Sequence, residues 1–120
     1  MAGRPFTRGG FIIGVPKLSE PKQVRLLLSD IHALQARANS GDYTAVDVLV
    51  DLGAAIKQAN LTRRQREALH YVYVRDMTQS AAAAEMGSRQ QRVADYVAGA
   101  EQKIADVYYY WAGHKEGYDV

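Results

Sequence analysis

The sequence contains no cysteine. Disulfide stapling, thiolate catalysis and cysteine-based zinc sites are therefore excluded, and the usage fits an intracellular protein. No apolar run approaches the roughly 18–20 residues that a membrane span requires, so no membrane partner is expected. Residues 1–8 carry two arginines with no long apolar stretch behind them, so no signal peptide is expected and the cytoplasm is the expected location. The formal net charge is only +2, too small by itself to argue for a polyanionic partner.

What is present is one domain's worth of chain: 120 residues, 48% hydrophobic and 23% charged, a balance that argues against wholesale disorder. The modest net charge hides a segmented pattern. Residues 1–40 set six Lys/Arg against Glu20 and Asp30, a balance of +4, and residues 41–60 come to −2. Residues 61–93 hold Arg63, Arg64, Arg66, Arg75, Arg89 and Arg92 against three acids, a balance of +3, and residues 94–120 come to −3. Every cation in the third block is arginine, the residue suited to bidentate contacts with phosphate and guanine.

Residues 1–20 hold Pro5, Pro16 and four glycines and read as a flexible basic arm, with Phe11, Ile12 and Ile13 as a short apolar patch inside it. One helix is expected from Pro21 to about Asn39, its stripe made by Val24, Leu27, Leu28, Ile31, Leu34 and Gln35. A second opens at Asp42 or Thr44, buries Val46, Leu49, Val50, Leu52, Ala55, Ile56 and Ala59, and stops near Asn60. The third is capped by Thr62, turns Ala68, Leu69, Val72 and Tyr73 inward, and breaks at Asp76 and Met77. A short fourth runs from Thr78 to Met86, and a fifth from near Ser88 to about Trp111, interrupted by Gly99 at a cost of roughly 1 kcal/mol. The expected fold is all-α with about five helices: an arm (1–20), a helical pair (21–60), a C-terminal domain (61–112) and a tail (113–120).

The stretch TQSAAAAEMGSRQQRVADY, residues 78–96, meets the steric demands of a helix-turn-helix. Two short helices that cross closely need a small residue at their approach, and Ala83 fits. The tight turn needs positive φ, which Gly87 supplies. Val93, Tyr96 and Val97 then turn inward, and Ala82 and Met86 fill the buried side of the first helix. Ser88 stands where an apolar residue is usual and is read as a cap for the second helix. Arg89, Gln90, Gln91, Ala94 and Asp95 occupy the outward side near that helix's start, the part that enters a major groove, with Arg92 beside them. Arginine pairs with guanine O6/N7 and glutamine with adenine N6/N7, each good pair discriminating by about 1–3 kcal/mol. Asp95 either accepts from cytosine N4 or pairs with Arg92 or Arg89. Thr78 and Gln79 begin the first helix, as a plain N-cap or as a phosphate contact.

Residues 61–104, opening with LTRRQREAL and continuing through the 78–96 stretch, resemble region 4 of the sigma-70-type initiation factors. They are more similar still to small phage-encoded sigma-like regulators. The resemblance implies promoter-type binding of double-stranded DNA through Arg89, Gln90, Gln91 and Arg92, with Ala94 and Asp95 as further candidates. It also implies backbone contacts from Arg63, Arg64 and Arg66, RNA polymerase as a further partner, and a bacterial host. Nothing resembles the promoter-melting region of a complete sigma factor. Two alternatives stay open: a small-terminase-like packaging component, and a sigma-like module that binds polymerase or another protein without DNA.

His32, His70 and His114 fall in no metal-binding spacing, no Gly-Lys-Ser/Thr phosphate loop occurs, and no Ser, His and acid set is recognisable. No enzyme activity, metal or cofactor is expected. Tyr108, Tyr109, Tyr110 and Trp111 point about 100° apart on a helix, so they cannot all face one core. An oligomer contact or packing against the N-terminal helix is the expected use.

Overall fold

Proline at a helix start loses no hydrogen bond, because the first N–H groups have no intrahelical partner. The first helix, α1, accordingly begins at its proline and spans Pro21–Ser29. The computed structural model describes residues 18–113; most of the expected arm, with Phe11, Ile12 and Ile13, and residues 114–120 of the tail lie outside the described residues. The sequence pattern predicts a single helix to Asn39, but the backbone leaves helical geometry at Asp30 (φ −98°, ψ 9°) and α2 spans Ile31–Asn39. The break follows from packing: α1 lies on the C-terminal helix whereas α2 lies on the helix after it, and one straight rod cannot do both. Gln35, placed on the expected stripe, is exposed and donates to Asn39 Oδ1.

Helix α3, Tyr43–Ala59, is capped by Asp42, whose carboxylate accepts from the Ala45 N–H at 3.1 Å, and is closed by Asn60 in the left-handed region at φ 56°. Its buried line is Ala45, Leu52 and Ala55. Val50, expected inside, is 63% exposed. It stands two residues from Leu52, about 200° around the helix, so both cannot face one core.

Helix α4, Arg63–Leu69, opens with a reciprocal capping box: the Gln65 N–H donates to Thr62 Oγ1 at 3.1 Å, and the Thr62 N–H donates to Gln65 Oε1 at 3.0 Å. It runs on into a π turn, His70–Val74, in which the Arg75 N–H reaches the His70 carbonyl. Asp76 then adopts φ 56°, ending the element where the sequence suggests a break. His32 of α2 holds this end: its Nε2 lies 3.1 and 3.0 Å from the Tyr73 and Val74 carbonyls, so that nitrogen carries the proton and donates.

Helix α5 spans Gln79–Met86 and α6 spans Gln90–Gly113, so the described residues form six helices, with no strand among them. The 24-residue α6 is the axis of the molecule. Helices α1, α3, α4 and α5 all pack on it, and one continuous core runs from Val24 and Leu28 through Leu52, Leu69 and Met86 to Val93, Ile104 and Tyr108. Each fully buried aliphatic side chain of this set contributes about 1.5–3 kcal/mol relative to exposure. Gly99 has a packing reason: a Cβ there would stand 2.7 Å from Gln65 Nε2, so its absence lets α4 lay Gln65 across α6. None of the helices described is long and apolar enough to cross a membrane.

Candidate nucleic-acid interface

The junction of α5 and α6 is built by three residues. Gly87 takes φ 61°, its N–H donates to the Ala84 carbonyl, and the Ser88 N–H donates to the Ala83 carbonyl at 2.9 Å. These two bonds satisfy carbonyls that the helix end would otherwise leave open. No neighbour lies within 4 Å of a Cβ placed on Gly87, so glycine is needed there for its backbone angle alone. Ala82, Ala83 and Met86 are buried on one side of the turn, and Val93 and Val97 on the other. Ser88 is not the cap that the sequence suggests. The helix starts at Gln90, so the N-cap position belongs to Arg89, whose carbonyl accepts the Val93 N–H.

Beyond this turn, Arg89, Gln90, Gln91, Arg92 and Asp95 are all exposed on the first two turns of α6, while Ala94 is half-buried. Asp95 pairs neither with Arg92 nor with Arg89; it accepts from Gln91 Nε2 at 3.4 Å. Both arginines are left without an ion pair to a described residue. Thr78 is the N-cap of α5, its Oγ1 accepting the Ala81 N–H at 3.0 Å, and Gln79 beside it is half-buried.

The three arginines of α4 divide. Arg66 is exposed and has no ion pair with a described residue, and Arg63 is exposed with its Nε 3.4 Å from Glu67 Oε2. Arg64, 43% exposed, is engaged within the protein, donating to Glu67 Oε1 at 2.9 Å and to the Met86 carbonyl at 3.0 Å. The Arg64–Glu67 hydrogen bond raises the arginine pKa above its ordinary value and holds the glutamate below the usual carboxylate range.

No family model, curated protein or solved structure matches this chain.

Two polar clusters go beyond the sequence expectations. Glu101 of α6 is 1% exposed, receives the Tyr73 hydroxyl on Oε2 at 2.8 Å and has Arg25 Nε 3.3 Å from Oε1. Burial, followed by the bond to Glu101, pushes the Tyr73 pKa upward. A signal for it exists in the sequence: position 101 lies four residues after Val97 and seven before Tyr108, on the inward stripe. The second cluster lines a shallow groove of about 420 Å³ between the end of α3 and α6, where Gln58, Asn60, Lys103, Asp106 and Tyr110 meet. Lys103 there donates to Gln65 Oε1 at 3.0 Å. Among the described residues no three His, Asp or Glu side chains stand together as a metal site. Of the aromatic run, Tyr108 is buried and meets Trp111 edge-on at 5.3 Å, Trp111 Nε1 donates to Gln58, and Tyr109 and Tyr110 are about half exposed.

Proposed function

We propose that the protein is a sequence-specific DNA-binding transcription regulator of phage or prophage origin, reading duplex DNA with the first turns of α6. The observation that carries the reading is the exposed Arg89, Gln90, Gln91 and Arg92 series placed directly after the tight turn, while Val93 and Val97 are buried on the opposite side. A helix N-terminus adds partial positive charge at that end, which favours approach to phosphate. The resemblance of LTRRQREAL and residues 78–96 to sigma region 4 supports a promoter as the site and RNA polymerase as a second partner, in the cytoplasm of a bacterial host.

The test starts from duplexes selected by the protein out of a randomised pool. Replacing Arg89 and Gln90 by alanine is expected to cost about 1–3 kcal/mol per lost base contact on the selected duplex, and less on random duplex, where only the Arg89 charge is lost. An unchanged ratio between the two duplexes refutes readout by α6. Absence of any salt-dependent binding refutes the DNA reading and leaves the protein-binding module. Light scattering separates the remaining alternative, since a stable ring of many subunits favours packaging.

A further inference from the structure

We propose that Arg64 is a positioning residue for the reading helix and not a phosphate ligand: its guanidinium joins α4 to the end of α5 and so fixes the turn that presents Arg89 and Gln90. The effect on recognition rests on the DNA reading above; the hold on the turn does not.

The Met86 carbonyl is among the last of α5 and has no intrahelical partner. Its neighbours in the chain, the Ala83 and Ala84 carbonyls, are closed by the Ser88 and Gly87 N–H groups, while Met86 is closed from outside by Arg64 Nη2 at 3.0 Å. The same guanidinium donates through Nη1 to Glu67 one turn along α4, at 2.9 Å. Because the fork is planar and rigid, the bond to Glu67 sets its plane, and that plane then dictates where the end of α5 sits. One side chain therefore ties α4 to the end of α5, just before the turn. The cation further complements the negative end of α5. Arg66, exposed on the same helix, has no such internal commitment and remains the better phosphate contact.

The experiment uses the full chain with Arg64→Gln and Arg64→Lys, the pool-selected duplex and a random duplex, at temperatures where circular dichroism shows both variants folded. A positioning role predicts at least a tenfold loss on the selected duplex for both variants. It also predicts less than a twofold change on random duplex and an unchanged slope of log K against log salt. A phosphate ligand predicts the opposite: Arg64→Gln lowers the slope by about 0.9 and weakens both duplexes alike, and lysine, a point charge, restores binding. Either of those results overturns the proposal, as does native affinity on both duplexes. Hydrogen exchange decides the structural half without DNA. Residues 86–92 are expected to exchange faster in Arg64→Gln while residues 100–108 do not, and unaltered exchange at 86–92 overturns the proposal. If the unmodified protein binds no duplex, the DNA reading fails, and the exchange result alone then judges whether Arg64 holds the turn.

Discussion

A carboxylate at 1% exposure is costly unless its oxygens are satisfied, and Glu101 has two partners of different quality. Tyr73 donates at 2.8 Å from a half-buried position, whereas Arg25 approaches at 3.3 Å with more than half of its side chain in solvent. Removing the hydroxyl in Tyr73→Phe leaves the carboxylate with Arg25 alone. A hydrogen bond to a charged group contributes about 1.5–3 kcal/mol net, and that is the expected loss. Glu101→Leu instead strands the Tyr73 hydroxyl, at about 1–3 kcal/mol for an unsatisfied polar group. The double variant removes both partners, so its cost is expected to fall short of the sum of the two by about 1.5–3 kcal/mol. Arg25→Ala is the mildest change, about 1 kcal/mol, because water replaces an exposed guanidinium. Urea unfolding followed by circular dichroism measures all four; with m near 1–3 kcal/mol/M, a 2 kcal/mol loss moves the midpoint by about 1 M. Strict additivity of Tyr73→Phe and Glu101→Leu would refute the assignment of this bond as the group's main support.

The same cluster sets a pH dependence. Burial first, then the bond to Glu101, raises the Tyr73 pKa, and burial with the Asp51 charge raises that of Tyr108. A raised folded pKa means that the stabilisation is complete below the unfolded value near 10 and is lost as pH climbs above it, when only the unfolded chain releases the proton. Unfolding midpoints are expected to hold from about pH 8 to 9.5 and fall beyond about 10, less steeply in Tyr73→Phe. A midpoint independent of pH up to about 11 refutes this.

Gly87→Ala is expected to cost about 1–2 kcal/mol, because an L residue in the left-handed region pays that penalty, and Gly87→Asn is expected to cost less; equal midpoints for glycine and alanine variants refute the backbone argument. Gly99→Ala sets a helix-propensity gain of roughly 1 kcal/mol against the displacement of Gln65 from its capping box. In a Gln65→Ala background the displacement vanishes, and Gly99→Ala is expected to stabilise by about 1 kcal/mol, read from the thermal midpoint. His32→Ala removes the donor to the Tyr73 and Val74 carbonyls, and faster hydrogen exchange at residues 74–77 is the expected outcome.

Local chemistry makes much of this fold legible in the residues themselves. Asp42, Thr62 and Thr78 cap the helices they precede, and Gly87 turns where an eight-residue offset from Gln79 demands it. Those features depend on residues close together in the chain. The break at Asp30 does not, since it reflects which helices α1 and α2 lie against. Nor does the outward turn of Val50: α3 has more apolar residues than one stripe can hold, and only its neighbours decide which are buried. For the site, the Arg64–Glu67 spacing of three is readable, but the Met86 carbonyl lies 22 residues further along and is brought near only by folding. Arg63, Arg64 and Arg66 therefore read alike along the chain, while folding gives each of them different surroundings.

Those surroundings decide how the charge of this protein acts at a distance. The net charge of +2 is the balance of 15 Lys/Arg against 13 Asp/Glu, and several of these cations stand beside an acid: Arg25 by Glu101, Arg37 by Asp42, and Arg63 and Arg64 around the one carboxylate of Glu67. Pairs of this kind cancel within a few ångströms and project little field. Arg66, Arg89 and Arg92 have no ion pair with a described residue, and two of them stand at the positive end of α6. The potential that an approaching polyanion meets is set by these unpaired charges within a Debye length of about 8–10 Å, not by the sum over the chain. Neutralising a paired arginine such as Arg37 is therefore expected to leave the affinity for random duplex unchanged. Neutralising Arg92 is expected to lower the salt slope by about 0.9, although both substitutions change the net charge equally. Equal slopes for the two variants would show that total charge governs binding and would remove α6 from its proposed role.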